Sequence, residues 1–114
     1  MKRGTVVLTP FPFTDLSGTK VRPAVVVSPS DRPGEDVILA FVSSVKPLTP
    51  LRTDLSIETS HPDFPGSGLK GASVVKCDKL ATVQRRIIFG ELGALSPALL
   101  VELNARLGAA LGLG

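Results

Sequence analysis

The sequence predicts a mainly β domain, a small antiparallel barrel or sandwich completed by one C-terminal helix. Three observations carry this. Short β-branched runs recur between closely spaced Pro/Gly turns, and no strand–helix–strand alternation of the kind that builds a parallel sheet is present. After Ser96-Pro97 the apolar spacing changes from alternating to helical. At 114 residues the chain is one domain, 1–114, at the common size for a single hydrophobic core.

The elements follow in order. Thr5 to Thr9 is the first strand, preceded by Gly4 and ended by Pro10. Pro10 to Lys20 is a turn-rich loop whose base is pinned by Phe11 and Phe13, with Thr14 to Thr19 free to move. Ala24 to Ser28 is a second, fully apolar strand, and the turn cluster Pro29 to Gly34 leads to a third over Asp36 to Val42. Ser43-Ser44 ends that strand, and Pro47 and Pro50 forbid its continuation. Asp54 to Glu58 is a short fourth strand with Leu55 and Ile57 alternating. Ser60 to Gly71 is a second long loop, and Ala72 to Asp78 a fifth strand. Val83 to Phe89 is a further candidate strand, closed by Gly90. Ser96 is an N-cap with Pro97 at the first helical position, and Leu99, Leu100, Leu103, Leu107 and Leu111 then recur at helical spacing to a stop at Gly112. This leucine stripe is core or interface packing.

Thirteen Lys+Arg against ten Asp+Glu give a net charge of +3 and a pI near 9.4, a mildly basic balance that suits a polyanionic partner. The positives gather late: Lys70, Lys76, Lys79, Arg85 and Arg86 are opposed only by Asp78. Tryptophan and tyrosine are absent, which speaks against an aromatic stacking platform for RNA. No apolar run approaches the ~20 residues of a membrane span. The apolar patch after Met1-Lys2-Arg3 is cut by Pro10 and Pro12 before it reaches the ~7 to 15 residues of a signal h-region, so a soluble cytoplasmic protein is expected. One cysteine and one histidine exclude an intramolecular disulfide, a cysteine-cluster metal site and a zinc triad; no metal or other cofactor is expected.

Two stretches carry chemistry. In Lys20-Val21-Arg22-Pro23-Ala24-Val25-Val26-Val27-Ser28, proline holds the preceding residue extended, so Arg22 stands where a polar loop enters a core strand. It is either a solvated strand-end charge or a site cation. In Ser73-Val74-Val75-Lys76-Cys77-Asp78-Lys79, alternation puts Val75 and Cys77 on one face and Lys76 and Asp78 on the other. Cys77 is thereby a small buried hydrophobe and not a nucleophile. Two strand residues separate the Lys76 and Asp78 backbones by about 6.6 Å. Such a couple either straddles a scissile phosphate or is a solvated ion pair worth ~0 to 1 kcal/mol.

These stretches, with Ala-Phe-Val-Ser-Ser between them and Leu-Ala-Thr-Val after Lys79, resemble the MazF/PemK (Kid) toxin family in order and spacing across essentially the whole chain. The resemblance implies an SH3-like barrel with a C-terminal helix and a toxin of a type II toxin–antitoxin system. It implies a homodimeric, ribosome-independent and metal-independent endoribonuclease that cuts single-stranded RNA at short motifs. It also implies a small acidic antitoxin as partner, with DNA reached only through the antitoxin complex. By the same resemblance Arg22 stabilises the scissile phosphate, Ser43 takes the place of a catalytic Thr or Ser with Ser44 beside it, and Asp78 matches a proposed general base. Lys76 stands where the PemK branch has an arginine proposed as acid, keeping the charge but losing the planar fork. Thr14, Ser17, Thr19 and Lys20 in the first loop, with Ser44, Lys79 and Arg85, are the expected RNA contacts. The loop lacks the histidine or glutamate-glutamine residues that some members carry there. RNA supplies its own nucleophile, the 2′-hydroxyl, so the chemistry asks only for a base, an acid and cations. Carboxylates are weak bases at neutral pH, which leaves Asp78 either the base or an orienting residue for Lys76 or Arg22. A non-catalytic RNA- or protein-binding module and a topoisomerase-poisoning toxin of the same fold stay open as alternatives.

Overall fold

Strand boundaries in this chain are set by proline, glycine and ladder register more than by the extent of each apolar run. A computed structural model describes residues 1–10 and 21–114. The strands are β1 (Thr5–Pro10), β2 (Val21–Val26), β3 (Asp36–Ser43), β4 (Asp54–Ile57), β5 (Ser73–Gln84) and β6 (Gly90–Ala94), with a one-turn helix α1 (Phe64–Ser67) before β5 and the long helix α2 (Pro97–Leu111) at the end. They form one antiparallel sheet in the order β4-β5-β3-β2-β1-β6, curled into half a barrel. The mainly β class with a C-terminal helix is therefore as expected, and it is a curled sheet, not a two-sheet sandwich.

Several boundaries correct the sequence reading. β2 starts at Val21, which takes Arg22 and Pro23 into the strand. β5 runs through Gln84 because β3 offers it partners as far as Asp36, so the separate strand expected over Val83 to Phe89 does not form. Val83 lies inside β5 opposite Val37. Arg85–Ile87 is a single 3-10 turn, tied down by the Arg85 amide donating to the Glu35 carbonyl at 2.7 Å. Gly90 opens β6 instead of closing a strand, and the expected loop over Ser60 to Gly71 contains α1.

Two glycines set how closely α1 and β6 approach. A Cβ on Gly93 would stand 2.4 Å from the Gly66 carbonyl oxygen, and one on Gly68, whose φ is +72°, would stand 2.0 Å from that of Leu92. Both glycines let α1 press directly on the β6 backbone.

The sheet buries both faces. Val6, Val25, Val42, Leu55, Ile57, Val75 and Cys77 meet Leu99, Leu103 and Leu107 of α2 on one side. Each fully buried leucine or valine there contributes roughly 1.5–3 kcal/mol. The helix starts as read: Ser96 Oγ accepts from the Leu99 amide at 3.2 Å and donates to Asp63 Oδ2 at 2.6 Å, tying the cap to the loop before α1. Leu111 ends the stripe 58% exposed, beyond the sheet. On the opposite face Val7, Ala24, Val26, Val37 and Leu39 form a second, smaller cluster with Phe41, Ala81 and Val83 against it. Among the described residues no helix is long and apolar enough to cross a membrane.

Gly93→Ala should lower stability by about 1–3 kcal/mol in urea unfolding, as overpacking against backbone does. Gly90→Ala, where an added Cβ meets nothing within 4 Å, should stay within about 0.5 kcal/mol. Equal midpoints for the two variants would contradict the packing of α1 on β6.

Candidate active site

A missing hydrogen opens the site. The Val27 amide donates to Ile38 of β3 at 2.9 Å, and every second residue of a strand points its N–H the same way. Pro23 therefore turns its nitrogen towards β3 and has no hydrogen to give it. The β2–β3 ladder runs Val26↔Leu39, Val25↔Ala40, Ala24↔Phe41 and stops there, while β3 continues to Ser43 and β2 keeps pairing β1 as far as Pro10↔Val21. The two strands part beyond Ala24 and Phe41.

The gap is a cleft of about 250 Å³ lined by Arg22, Pro23, Phe41, Val42, Ser43, Ser44, Val45 and Ser73. Arg22 pairs with Thr9 across β1, and it shares the face of Ala24 and Phe41. Ser43, two residues beyond Phe41, shares that face too. Among the described residues no hydrogen bond or ion pair holds the Arg22 guanidinium, which is half-buried. Ser43 Oγ accepts from the Val45 amide at 3.1 Å and reaches the Val45 carbonyl only at 3.4 Å, so its proton is loosely engaged. A cation and a hydroxyl thus meet in one open gap.

Lys76 occupies the adjoining row of the same face. Phe41 opposes it on β3 and Asp54 on β4. Its ammonium lies 2.6 Å from Asp54 Oδ1, with the Lys76 side chain 15% exposed and that of Asp54 fully covered. Of the two readings of Lys76 and Asp78, the ion pair between them is not what forms: the carboxylate beside Lys76 is Asp54. The reason is a register shift. Phe41 opposes Lys76 but Ala40 opposes Leu80, so Cys77, Asp78 and Lys79 bulge out of the β3–β5 ladder. Asp78 is exposed on the bulge. The Cys77 amide, freed from β3, donates to the Thr53 carbonyl at 3.1 Å. Burial disfavours ionisation of Asp54, but the Lys76 hydrogen bond, the Leu51 amide and the charges of Lys76 and Arg106 outweigh it and hold its carboxyl below the usual range. Cys77 is fully buried on the helix side, and burial, with Asp54 and Asp78 nearby, pushes its thiol up to about 11.

The other expected contacts divide. Lys79 is exposed with its ammonium 5.9 Å from the centre of the Phe41 ring, over the wall of the cleft. Arg85 sits beside Glu35 at the opposite end of β3 from Ser43, about 24 Å along the strand at ~3.4 Å per residue; the fold does not bring it to the cleft. Thr14, Ser17, Thr19 and Lys20 lie outside the described residues, as does the Phe11 and Phe13 anchorage. His61 accepts from the Asp63 amide at 3.0 Å and stays local to its turn. Sequence reasoning missed Asp54, and it missed an apolar hollow of about 410 Å³ next to the cleft, which shares Pro23, Ser44 and Ser73 with it and is walled by Leu8, Val21, Leu69 and Leu92. Among the described residues no three His, Cys, Asp or Glu side chains group as metal ligands.

Fold and cleft together define a small half-barrel protein with a cation and hydroxyls facing one open gap. The chain belongs to the PemK-like, MazF-like toxins of type II toxin–antitoxin systems, whose family model matches residues 2–111. No curated protein sequence matches it. Among solved structures it is similar to an endoribonuclease in complex with its cognate antitoxin from a Mycobacterial species, at 25% identity and a TM-score of 0.76, covering 100% of this chain and 97% of that one. A second endoribonuclease from a Mycobacterial species aligns at 25% identity and 0.74, covering 99% and 92%. The fold is also shared with a MazE–MazF complex from Deinococcus radiodurans at 21% identity and 0.70, covering 100% and 98%.

The Asp54–Lys76 pair gives acid stability a defined sign. A depressed folded value means that the contribution of Asp54 is fully present above the ordinary carboxylate pKa of 3.8 and is lost as pH falls through the folded value. Asp54→Asn should therefore be less stable than wild type at pH 7, and the difference should shrink as pH falls from about 5. A difference in unfolding free energy that does not change with pH would contradict the pairing.

Proposed function

We propose that the protein is an endoribonuclease that cuts single-stranded RNA through the RNA's own 2′-hydroxyl, independently of ribosomes and of metal ions. The observation that carries this reading is the convergence of Arg22, Ser43 and Ser44 on one open cleft with the Lys76 ammonium in the adjoining row. Membership of the toxin family and the likeness to two endoribonucleases support it.

In this reading the scissile phosphate enters the cleft. The Arg22 guanidinium and the Ser43 hydroxyl donate to its non-bridging oxygens, where charge builds as phosphorus becomes five-coordinate. The 2′-oxygen attacks phosphorus as its proton leaves, with exposed Asp78 as base or as the group that orients Arg22. The bond from phosphorus to the 5′-oxygen breaks, and the Lys76 ammonium gives that oxygen a proton. The products are a 2′,3′-cyclic phosphate and a 5′-hydroxyl. A base flanking the cut fits the apolar hollow beside the cleft, and Lys79 adds charge along the backbone path.

The protein acts in this reading as a cytoplasmic homodimer. Exposed Ile87, Phe89 and Leu92 beside the edge strand β6 support self-association. Its restraint is a small antitoxin whose acidic tail covers the cationic cleft, and DNA is met only through that complex.

Cleavage of a defined RNA should persist in EDTA, and a single 2′-deoxy substitution at the cut site should abolish it. Arg22→Ala should lose roughly 10²–10³-fold in kcat, the scale of one lost oxyanion donor. Undiminished cutting of the deoxy substrate, or wild-type turnover by folded Arg22→Ala, would overturn the reading.

A further inference from the structure

We infer that Asp54 is a positioning residue of this site, the buried carboxylate that fixes the Lys76 ammonium where the leaving oxygen takes its proton. The inference rests on the endoribonuclease reading above and extends it to a residue outside the cleft.

Asp54 is buried and held by both its side chain and its backbone. Oδ1 receives the Lys76 ammonium at 2.6 Å. Oδ2 accepts from the Leu51 amide at 2.9 Å, and the Asp54 amide in turn donates to the Leu51 carbonyl at 3.0 Å. The 51–54 turn therefore fixes the residue through its backbone and through Oδ2, which leaves Oδ1 to face the ammonium. The same turn holds the strand that carries Lys76: the Thr53 carbonyl takes the Cys77 amide at the point where β5 leaves β3. From the helix side Arg106 braces the turn by donating to the Arg52 carbonyl at 3.2 Å. A lysine side chain is a flexible four-carbon stem with a mobile point charge, and without a fixed partner its ammonium would sample many positions.

Stability alone is a weak reason for such a pair. Buried ion pairs gain little over apolar residues of the same volume, because desolvation offsets the attraction. This pair adjoins the cleft through Lys76, which opposes the cleft-lining Phe41 across the β3–β5 ladder, with Asp54 one strand further out on β4. Its placement at the border of the cleft is what a positioning role needs.

The test is steady-state cleavage of a defined RNA by Asp54→Asn, whose amide oxygen can still accept from the Leu51 amide. Misplacing a reacting group by about 1 Å costs on the order of 10²-fold, so kcat should fall roughly 10- to 100-fold with KM within about twofold. The double variant Asp54→Asn/Lys76→Met should be no slower than Lys76→Met alone, since both remove one function. Glu58→Gln, which breaks the exposed Lys46 pair just past the end of the same strand, should leave kcat unchanged. Asp54→Glu keeps the charge but moves it by a methylene, and it should also lose at least about tenfold in kcat; it covers the case in which the amide variant does not fold. Wild-type kcat in either folded Asp54 variant, or losses that multiply fully in the double variant, would overturn the inference. An inactive wild-type protein would instead sink the endoribonuclease reading, and active wild type with inactive Arg22→Ala shows that reading intact whatever Asp54 does.

Discussion

The site depends on one hydrogen that is not there. Pro23 faces β3 without an N–H, so the β2–β3 ladder ends at Ala24↔Phe41 although both strands run on. With any other residue at position 23 the ladder could extend two more pairs, through Val42, and bring Arg22 against Ser43 as ordinary cross-strand neighbours. Instead the strands diverge, and their facing edges, no longer paired to each other, line an open cleft. The same proline keeps Arg22 extended, on the face that carries Phe41 and Ser43.

The second constraint lies on the other side of β3. The bulge at Cys77 to Lys79 takes β5 out of register, which puts Asp78 and Lys79 outside the ladder and leaves Lys76 as the last residue paired to both β3 and β4. Pro23 and the bulge thus act on opposite edges of β3 and free side chains around the same Phe41. Support comes from the helix side, where α2 covers Val75, Cys77 and Leu55 and leaves them no freedom to shift. A rigid apolar face on one side and a divided face on the other place a few polar groups with little reorganisation, which is what electrostatic stabilisation of a reacting phosphate asks for.

Local signals in the sequence carried far. The Ser96-Pro97 helix start, the apolar strands and the burial of Cys77 follow from capping, propensity and alternation within a few residues. What failed was non-local. Arg85 and Arg86 before Ile87 and Ile88 look like a strand with a basic entry, yet β5 had already used its partners on β3 as far as Asp36, and the next residues turn away. Gly93 and Gly68 carried no legible signal because their reason, the close approach of α1 and β6, brings together segments distant in sequence, and Gly90, read as a stop, opens β6. Asp54 as the partner of Lys76 was illegible for the same reason: alternation along β5 points to Asp78, and only the register with β4 and the bulge reveals the true neighbour. Arg85 seemed part of a basic groove because it is near Lys79 in sequence, while the twelve residues of β5 carry it to the far end of the sheet.

The central claim is that the gap opened by Pro23 holds the phosphate to be cut. A crystal structure of the protein with an RNA oligonucleotide made uncleavable by one 2′-deoxy sugar tests it most directly. The account predicts the phosphate 3′ of that sugar between β2 and β3, with the Arg22 guanidinium and Ser43 Oγ each within hydrogen-bond distance, about 2.7–3.2 Å, of its non-bridging oxygens. The phosphate bound elsewhere on the surface, with the cleft filled only by water, would contradict it.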